Sequence, residues 1–391
     1  MHVSRWISSS ISAATYILGT TARLLSLLLA VSILSFCLVS AAPFDPVTAF
    51  IGPEAVISPE QKAAIAAHWG LYDPPPLRYV AWLNNVLHGD MGISLIYRQP
   101  VTEILLERAL ASLALMGLAW ALSGILGFVM GVVCGVFKGS VFDKITKTCA
   151  LALSVAPTFW LALLALMVFS VFLQWFPMGM AVPAGKLAGD VTLADRLWHL
   201  ILPALVLSVS GVANVTLHTR EKMVTALASN YANFARARSE SRWQLVRRHG
   251  LRNVALPALT LQFASFAELF GGSVLAEQVF SYPGLGSAVT AAGLRGDIPL
   301  LLGIALVSAL FVFSGNVIAN VLYGLIDPRI RESAKPFRPK QKKLPDTSST
   351  SPLPNTPDTS SSPVSLPSPL PPVIALKPTG YHRRPGGCSH D

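Results

Sequence analysis

Charged residues are scarce in this chain: Asp, Glu, Lys and Arg make up 13% of 391 positions, against 52% hydrophobic residues. That balance excludes an ordinary soluble domain. Nucleotide chemistry has no obvious seat either. No phosphate-binding loop of the form GxxxxGK[ST] occurs, and Lys138-Gly139-Ser140 lacks the preceding spacing. If ATP powers the system, another subunit binds it. There is no HExxH and no nucleophile elbow, and the eight histidines form no ligand cluster, so neither a catalytic site nor a metal site is expected. The four cysteines lack CxxC or Cys/His spacing. Cys37, Cys134 and Cys149 fall in or at the ends of apolar runs, Cys388 lies near the C-terminus, and all four read as small apolar residues. No internal repeat of 20–50 residues is visible.

What the chain has is apolar length. An α-helix needs about 20 residues to cross ~30 Å of hydrocarbon. Six runs qualify: 24–42, 109–137, 148–176, 199–219, 258–280 and 299–326. The second and third exceed a minimal span, which tilt or extension beyond the membrane accommodates. Val39-Ser40-Ala41-Ala42 has the small residues of a cleavage site, but the apolar stretch from Leu24 is longer than a signal core and 23 residues precede it. A retained first helix is therefore expected. The expected fold is all-α, with six membrane spans.

The net charge of +10 alternates by loop. With both chain ends in the cytoplasm, 23 basic residues lie inside and seven outside, the asymmetry that insertion favours. An even number of spans follows. Segment 44–108 carries seven acids against four bases and falls outside. A basic surface for nucleic acid would not alternate in this way, so nucleic acid is not an expected partner.

Within 44–108, Ser58, Pro59, Glu60 and Gln61 look like a helix start leading into Ala63–Trp69, which Gly70 ends. Tyr79–Leu87 reads as a second helix with Tyr79, Trp82, Leu83 and Val86 on one side. That face suits either protein packing or the lipid–water boundary. In the last span Asn316, Asn320, Tyr323 and Asp327 fall on one helical stripe, and polar residues inside a span usually face protein or water. Beyond Arg331, thirteen prolines lie between Lys335 and Asp391 among many Ser and Thr. Residues 332–391 read as a disordered cytoplasmic tail.

The most informative stretch is Tyr231–Pro257, YANFARARSESRWQLVRRHGLRNVALP. It is basic, amphipathic and set between two apolar runs. Tyr231–Arg238 is expected to form one short helix, Ser239-Glu240-Ser241 a turn, and Arg242–Asn253 a second helix directed back into the membrane, with Pro257 where the next span begins. Ala235-Arg236-Ala237-Arg238 and His249-Gly250-Leu251-Arg252-Asn253-Val254-Ala255-Leu256-Pro257 resemble the cytoplasmic coupling loop of permease subunits from the dipeptide, oligopeptide and nickel branch of ATP-binding-cassette (ABC) importers. The same branch is similar at Gly70-Leu71, Asp73-Pro74, Tyr79, Trp82 and Gly89-Asp90-Met91-Gly92-Ile93-Ser94, at Glu277 with Phe280-Ser281-Tyr282-Pro283-Gly284-Leu285-Gly286, and at Asp327-Pro328-Arg329-Ile330-Arg331. Pro43-Phe44-Asp45-Pro46 departs from it, as does Ser239, where the family usually has Gly. The likeness covers about residues 15–331 and leaves the tail out.

The resemblance implies a type I importer permease fold in a bacterial inner membrane. It divides the chain into a cytoplasmic start (1–23), a first span (24–42), a periplasmic helical segment (44–108) and a core (109–331) with its coupling loop at 231–257. It also implies partners: a second permease subunit (the same or different), two ABC ATPase subunits carrying ATP and Mg²⁺, a periplasmic solute-binding protein, and membrane lipid. The expected coupling residues are Tyr231, Ala235, Arg236, Ala237, Arg238, Ser239, His249, Leu251, Arg252, Asn253 and Pro257. From the residues themselves, Asn214 and His218 share a face of the fourth run with Ser208 and Ser210 nearby. Glu268 is costly inside a span and calls for a polar partner or a wet cavity. These three, with Asn316 and Asn320, are the candidates for the translocation path. One alternative is a stand-alone secondary transporter or channel, which predicts duplicated halves, and the sequence shows none. A membrane scaffold recruiting partners through the tail is the other alternative.

Overall fold

A computed structural model describes residues 2–42, 46–51, 58–68, 72–186 and 188–326. The chain divides into two units, Met1–Lys335 and Pro336–Asp391. The second lies outside the described residues, as do Phe44 and the Asp327–Arg331 ending.

The described residues are helical apart from turns and one isolated bridge between Ile93 and Pro100. Helix α1 (His2–Ala41) is followed by three short helices, α2 (Pro46–Ile51), α3 (Pro59–His68) and α4 (Pro75–Leu87). Ser58 caps α3 as its sequence suggests: its Oγ accepts from Gln61 N and its own N–H donates to the Gln61 side chain, both at 3.2 Å. On α4 the face formed by Tyr79, Trp82, Leu83 and Val86 is the half-buried one. It packs on α1, where Tyr79 and Trp82 meet Phe36 and the Tyr79 hydroxyl lies 2.8 Å from Ser32 Oγ. The insertion thus braces the first helix.

The core is built on α5 (Val101–Val136) and α8 (Leu193–Leu227). Gly127, Gly131 and Gly135 fall one turn apart on α5 and admit the α8 residues Val215, Thr219 and Met223. A Cβ at Gly131 would stand 2.6 Å from the Thr219 Cβ, so these glycines set how closely the two backbones approach. Trp120 and Ser123 of α5 are held from the other side by Gln262, whose amide donates to Trp120 O and Ser123 Oγ, each at 2.7 Å.

Two expected spans are not straight. The run 148–176 is a pair, α6 (Val141–Val155) and α7 (Thr158–Ala165), the latter winding into a wider π turn over Leu166–Phe172; the two arms bend by 112°. Pro157 is the cause, because it drives Ala156 out of helical geometry, to ψ 131°. The run 258–280 is also broken. A helical arm runs from Arg242 to Ala264, through α10 (Arg242–Leu245), a π turn at Val246–Gly250 and α11 (Leu251–Ala264), and bends by 58° into α12 (Phe266–Val279). At the break the Ser265 hydroxyl donates to Gln262 O at 3.0 Å, competing with the helical ladder. Pro257 therefore sits inside a helix and not at its start, because the capping box of Ser241 with Gln244 starts the arm upstream.

Gly296, at φ +70°, ends α13 (Leu285–Arg295), and α14 (Ile298–Ile326) closes the described core. Among the described residues, four helices are long and apolar enough to cross a membrane, and six if each bent pair is one span.

Candidate functional site

At the end of the molecule where α5 and α8 finish, α9 (Asn230–Ala237) and α10 form an elbow. Its hinge is Ser239, at φ +63°. This left-handed geometry is where glycine is easiest to accommodate. Ala232 and Ala235 face inward, onto a cluster of Val132, Val136, Met223, Leu245, Val246 and Val254. Ala235, expected on the coupling surface, is thus an internal packing residue, and Leu251 packs against the same cluster. The outward side carries Ala237, Arg238, Ser239, Arg247, Arg248 and Arg252, together with two aromatics, Phe234 and Trp243, that are 72% and 70% exposed. Neither aromatic was among the expected coupling residues. Their signal was legible, since a large ring on a basic loop between spans has no core to enter.

The arms are tied to each other. Asn253 Nδ2 donates to the Tyr231 hydroxyl at 3.2 Å, the Tyr231 and His249 rings lie 6.0 Å apart, and Arg248 and His249 each approach Glu240 to 3.7 Å. Tyr231, His249 and Asn253 thereby shape the elbow.

A cavity of about 450 Å³ opens between α8 and the α11–α12 break. Asn214, His218 and Glu268 all line it, with Glu221 and Ser265. The sequence had placed the first three in two separate runs, and the break at Ser265 brings them together. Glu221 was missed although it continues the stripe of Asn214 and His218 around α8. Asn316 and Asn320 stay apart. They are exposed on α14 and absent from the cavity wall, because it is Gly315 and Ala319 beside them that the fold buries. Ser208 is buried against its own helix, donating to Leu205 O at 2.7 Å. The Tyr323 side chain and Asp327 lie outside the described residues.

At the opposite end two carboxylates are fully buried. Glu277 accepts from Ser112 Oγ at 2.6 Å and from the Gly286 and Ser287 amides at 2.7 and 3.3 Å, which lie at the start of α13. Ser112 also accepts from Leu285 N at 2.8 Å. Asp297 accepts from Ser94 Oγ at 2.5 Å, from Ile96 N at 3.1 Å and from Leu300 N at 3.2 Å. The Gly89–Ser94 turn is thereby fastened to the start of α14. Burial, and next the neighbouring Glu277 carboxylate, push the Tyr282 phenol up from its ordinary value. Such groups hold helices in place and have no route to solvent for chemistry.

Comparison with known proteins places this architecture. Residues 127–332 match the family described as binding-protein-dependent transport system inner membrane component. The oligopeptide transport system permease protein AppB of Bacillus subtilis is 36% identical over 319 residues, covering 81% of this chain and 99% of that protein. A putative peptide permease protein of Brucella suis is 35% identical over 309 residues, 78% of this chain and 96% of its own length. The dipeptide transport system permease protein DppB of Escherichia coli is 32% identical over 334 residues, with 81% and 98% covered. By these matches the chain belongs to the binding-protein-dependent transport system inner-membrane components, the multi-pass permease subunits of ABC importers.

Proposed function

We propose that this permease conducts short peptides inward, with the Phe234–Trp243 elbow receiving the stroke of a separate ATPase. The exposed elbow, at the end where α5 and α8 finish, carries the reading. Two exposed aromatics on an elbow that also exposes Arg238, Arg247, Arg248 and Arg252 suit a groove with an acidic rim. The distribution of basic residues supports placing the elbow and both chain ends in the cytoplasm. ATP and Mg²⁺ belong to two ATPase subunits. A second permease, identical or different, completes the path, and a periplasmic solute-binding protein delivers the solute. The three relatives named above are all named for peptides, which favours peptide over nickel.

Asn214, His218 and Glu268, with Glu221, form the polar wall of the path. The carboxylates suit the ammonium group of a peptide. Asn316 and Asn320, exposed on α14, are left for contact with the second permease or lipid.

The test is assembly and peptide uptake by the reconstituted importer. Scrambling 231–253 should abolish both, and removing 336–391 should leave both in place. A scrambled loop that still assembled and transported would sink the reading. For the path, unchanged uptake rate and preference in Glu268→Gln would remove that residue.

A further inference from the structure

Two arginines of the elbow, Arg236 and Arg242, bond back to the ends of the long helices. Arg242 Nη2 donates to Val136 O, the last turn of α5, at 2.5 Å, and its guanidinium lies 5.4 Å from the centre of the Phe137 ring. Arg236 Nη2 donates to Leu227 O, the last turn of α8, at 2.8 Å, while its Nη1 donates to Asn233 Oδ1 at 3.0 Å. Both acceptors are terminal helix carbonyls, which have no donor within their own helix. A cation there also meets the negative end of the helix dipole. The two arms of the elbow thus grip two different helices.

Those helices are already joined. Met223 of α8, fully buried, fills the gap left by Gly135 of α5 and touches Gly250 of the second arm, where an added Cβ would meet the Met223 sulfur at 2.8 Å. Farther back, Asp143 at the start of α6 receives a two-pronged contact from Arg220 of α8, at 2.5 and 2.7 Å. We propose that Arg242 and Arg236 are positioning residues for energy coupling: they clamp the elbow to the ends of α5 and α8, so that a push on the loop moves the pair as one body. This rests on the coupling role proposed above and assigns these two side chains to transmission, with Arg238, Arg247, Arg248 and Arg252 left to face the partner.

The experiment measures peptide imported per ATP hydrolysed by the reconstituted importer, and separately the ATPase concentration that half-saturates assembly. Arg242→Met keeps the apolar stem on Phe137 and removes the donor. The expected result is unaltered half-saturation with continued ATP hydrolysis, and a fall of about five-fold in peptide per ATP. Arg242→Lys, which restores a donor and the charge, should recover most of that loss, and adding Arg236→Met to Arg242→Met should deepen it. Unchanged peptide per ATP in an assembled Arg242→Met importer would overturn the clamp. So would a rise in half-saturation with peptide per ATP intact, because the arginine would then be a docking contact. If Arg242→Met does not accumulate, the Lys variant decides alone, since full loss of coupling in it contradicts the clamp. An importer that still assembled and transported with 231–253 scrambled would instead defeat the coupling reading itself.

Discussion

The two ends of this molecule fasten their helices with opposite chemistry. At the far end, buried carboxylates sit at helix starts: Glu277 accepts from the first amides of α13 and Asp297 caps α14. At the elbow end, arginines sit at helix finishes, on Val136 O and Leu227 O. Both arrangements answer the same need, since each helix leaves amides unpaired at its start and carbonyls unpaired at its finish. Only the first is sealed from solvent. A sealed tie contributes stability, whereas a solvent-facing tie contributes little and remains free to serve motion. The basic residues that orient the chain by loop counting therefore include two whose guanidinium groups the fold itself uses.

The sharpest way to break this comparison is at Glu277. Glu277→Ala strands the Ser112 hydroxyl and two amides at a buried site, and about 3 kcal/mol or more of stability should be lost. Thermal unfolding in detergent should show a large fall in the transition temperature, and the milder Glu277→Gln, which keeps an acceptor oxygen, a smaller one. An Arg236→Met variant should barely move the same transition. Equal costs at the two ends would erase the distinction between sealed and solvent-facing ties.

Much of the far end was legible only in part. The turn containing Ser94 and the segment from Glu277 to Gly286 stood out as motifs. Their bonding partners, Asp297 and Ser112, lie 203 and 165 residues away in sequence, and no local pattern shows a contact of that range. The long helices were readable, because apolar length is a local property, but α2 and α13 were not, being too short to stand out as apolar runs. The two broken spans were not read from run length: Pro157 marks the first break in the sequence, whereas the second, at Ser265, carries no proline. The face of α4 was read correctly from its period. In the candidate path Asn214, His218 and Glu268 were chosen for being polar among apolar neighbours, and the fold brings them to one cavity. The same rule also chose Asn316 and Asn320, which lie elsewhere, because polarity inside a run says that a residue needs company without saying whose.

Between the two ends runs the glycine seam of α5, and it supplies the next test. Gly131→Val places a branched side chain where a Cβ alone would stand 2.6 Å from Thr219 and 2.7 Å from the Thr216 carbonyl. A cost of about 2–3 kcal/mol is expected from overpacking. Gly117→Ala on the same helix, with open space around it, should leave the unfolding transition in place. A tolerated valine at 131 would mean that α5 and α8 can part, and the one-body movement at the elbow end would lose its basis.

Trp243→Ala sharpens the comparison from the side of the partner. The ring is 70% exposed, so the stability of the isolated permease should shift by no more than about 0.5 kcal/mol. Affinity for the ATPase should weaken by about 2 kcal/mol, as for a central aromatic anchor. Titration of the ATPase onto permease in lipid nanodiscs measures it. Equal affinity would place the docking surface elsewhere on the elbow.

The smallest effect belongs to Ser239. Its φ of +63° disfavours a side chain, and glycine in its place relieves about 1 kcal/mol of backbone strain. Part of that gain is returned, because glycine also loosens the unfolded chain. A net stabilisation of about 0.5 kcal/mol is expected for Ser239→Gly, visible as a small upward shift in unfolding, while Ser239→Val should move it downward. Ser239 is exposed at the hinge of the elbow, so the substitution disturbs no packing. A downward shift on Ser239→Gly would mean that the hydroxyl makes a contact worth more than the strain, and that the elbow is built as rigidly as the far end.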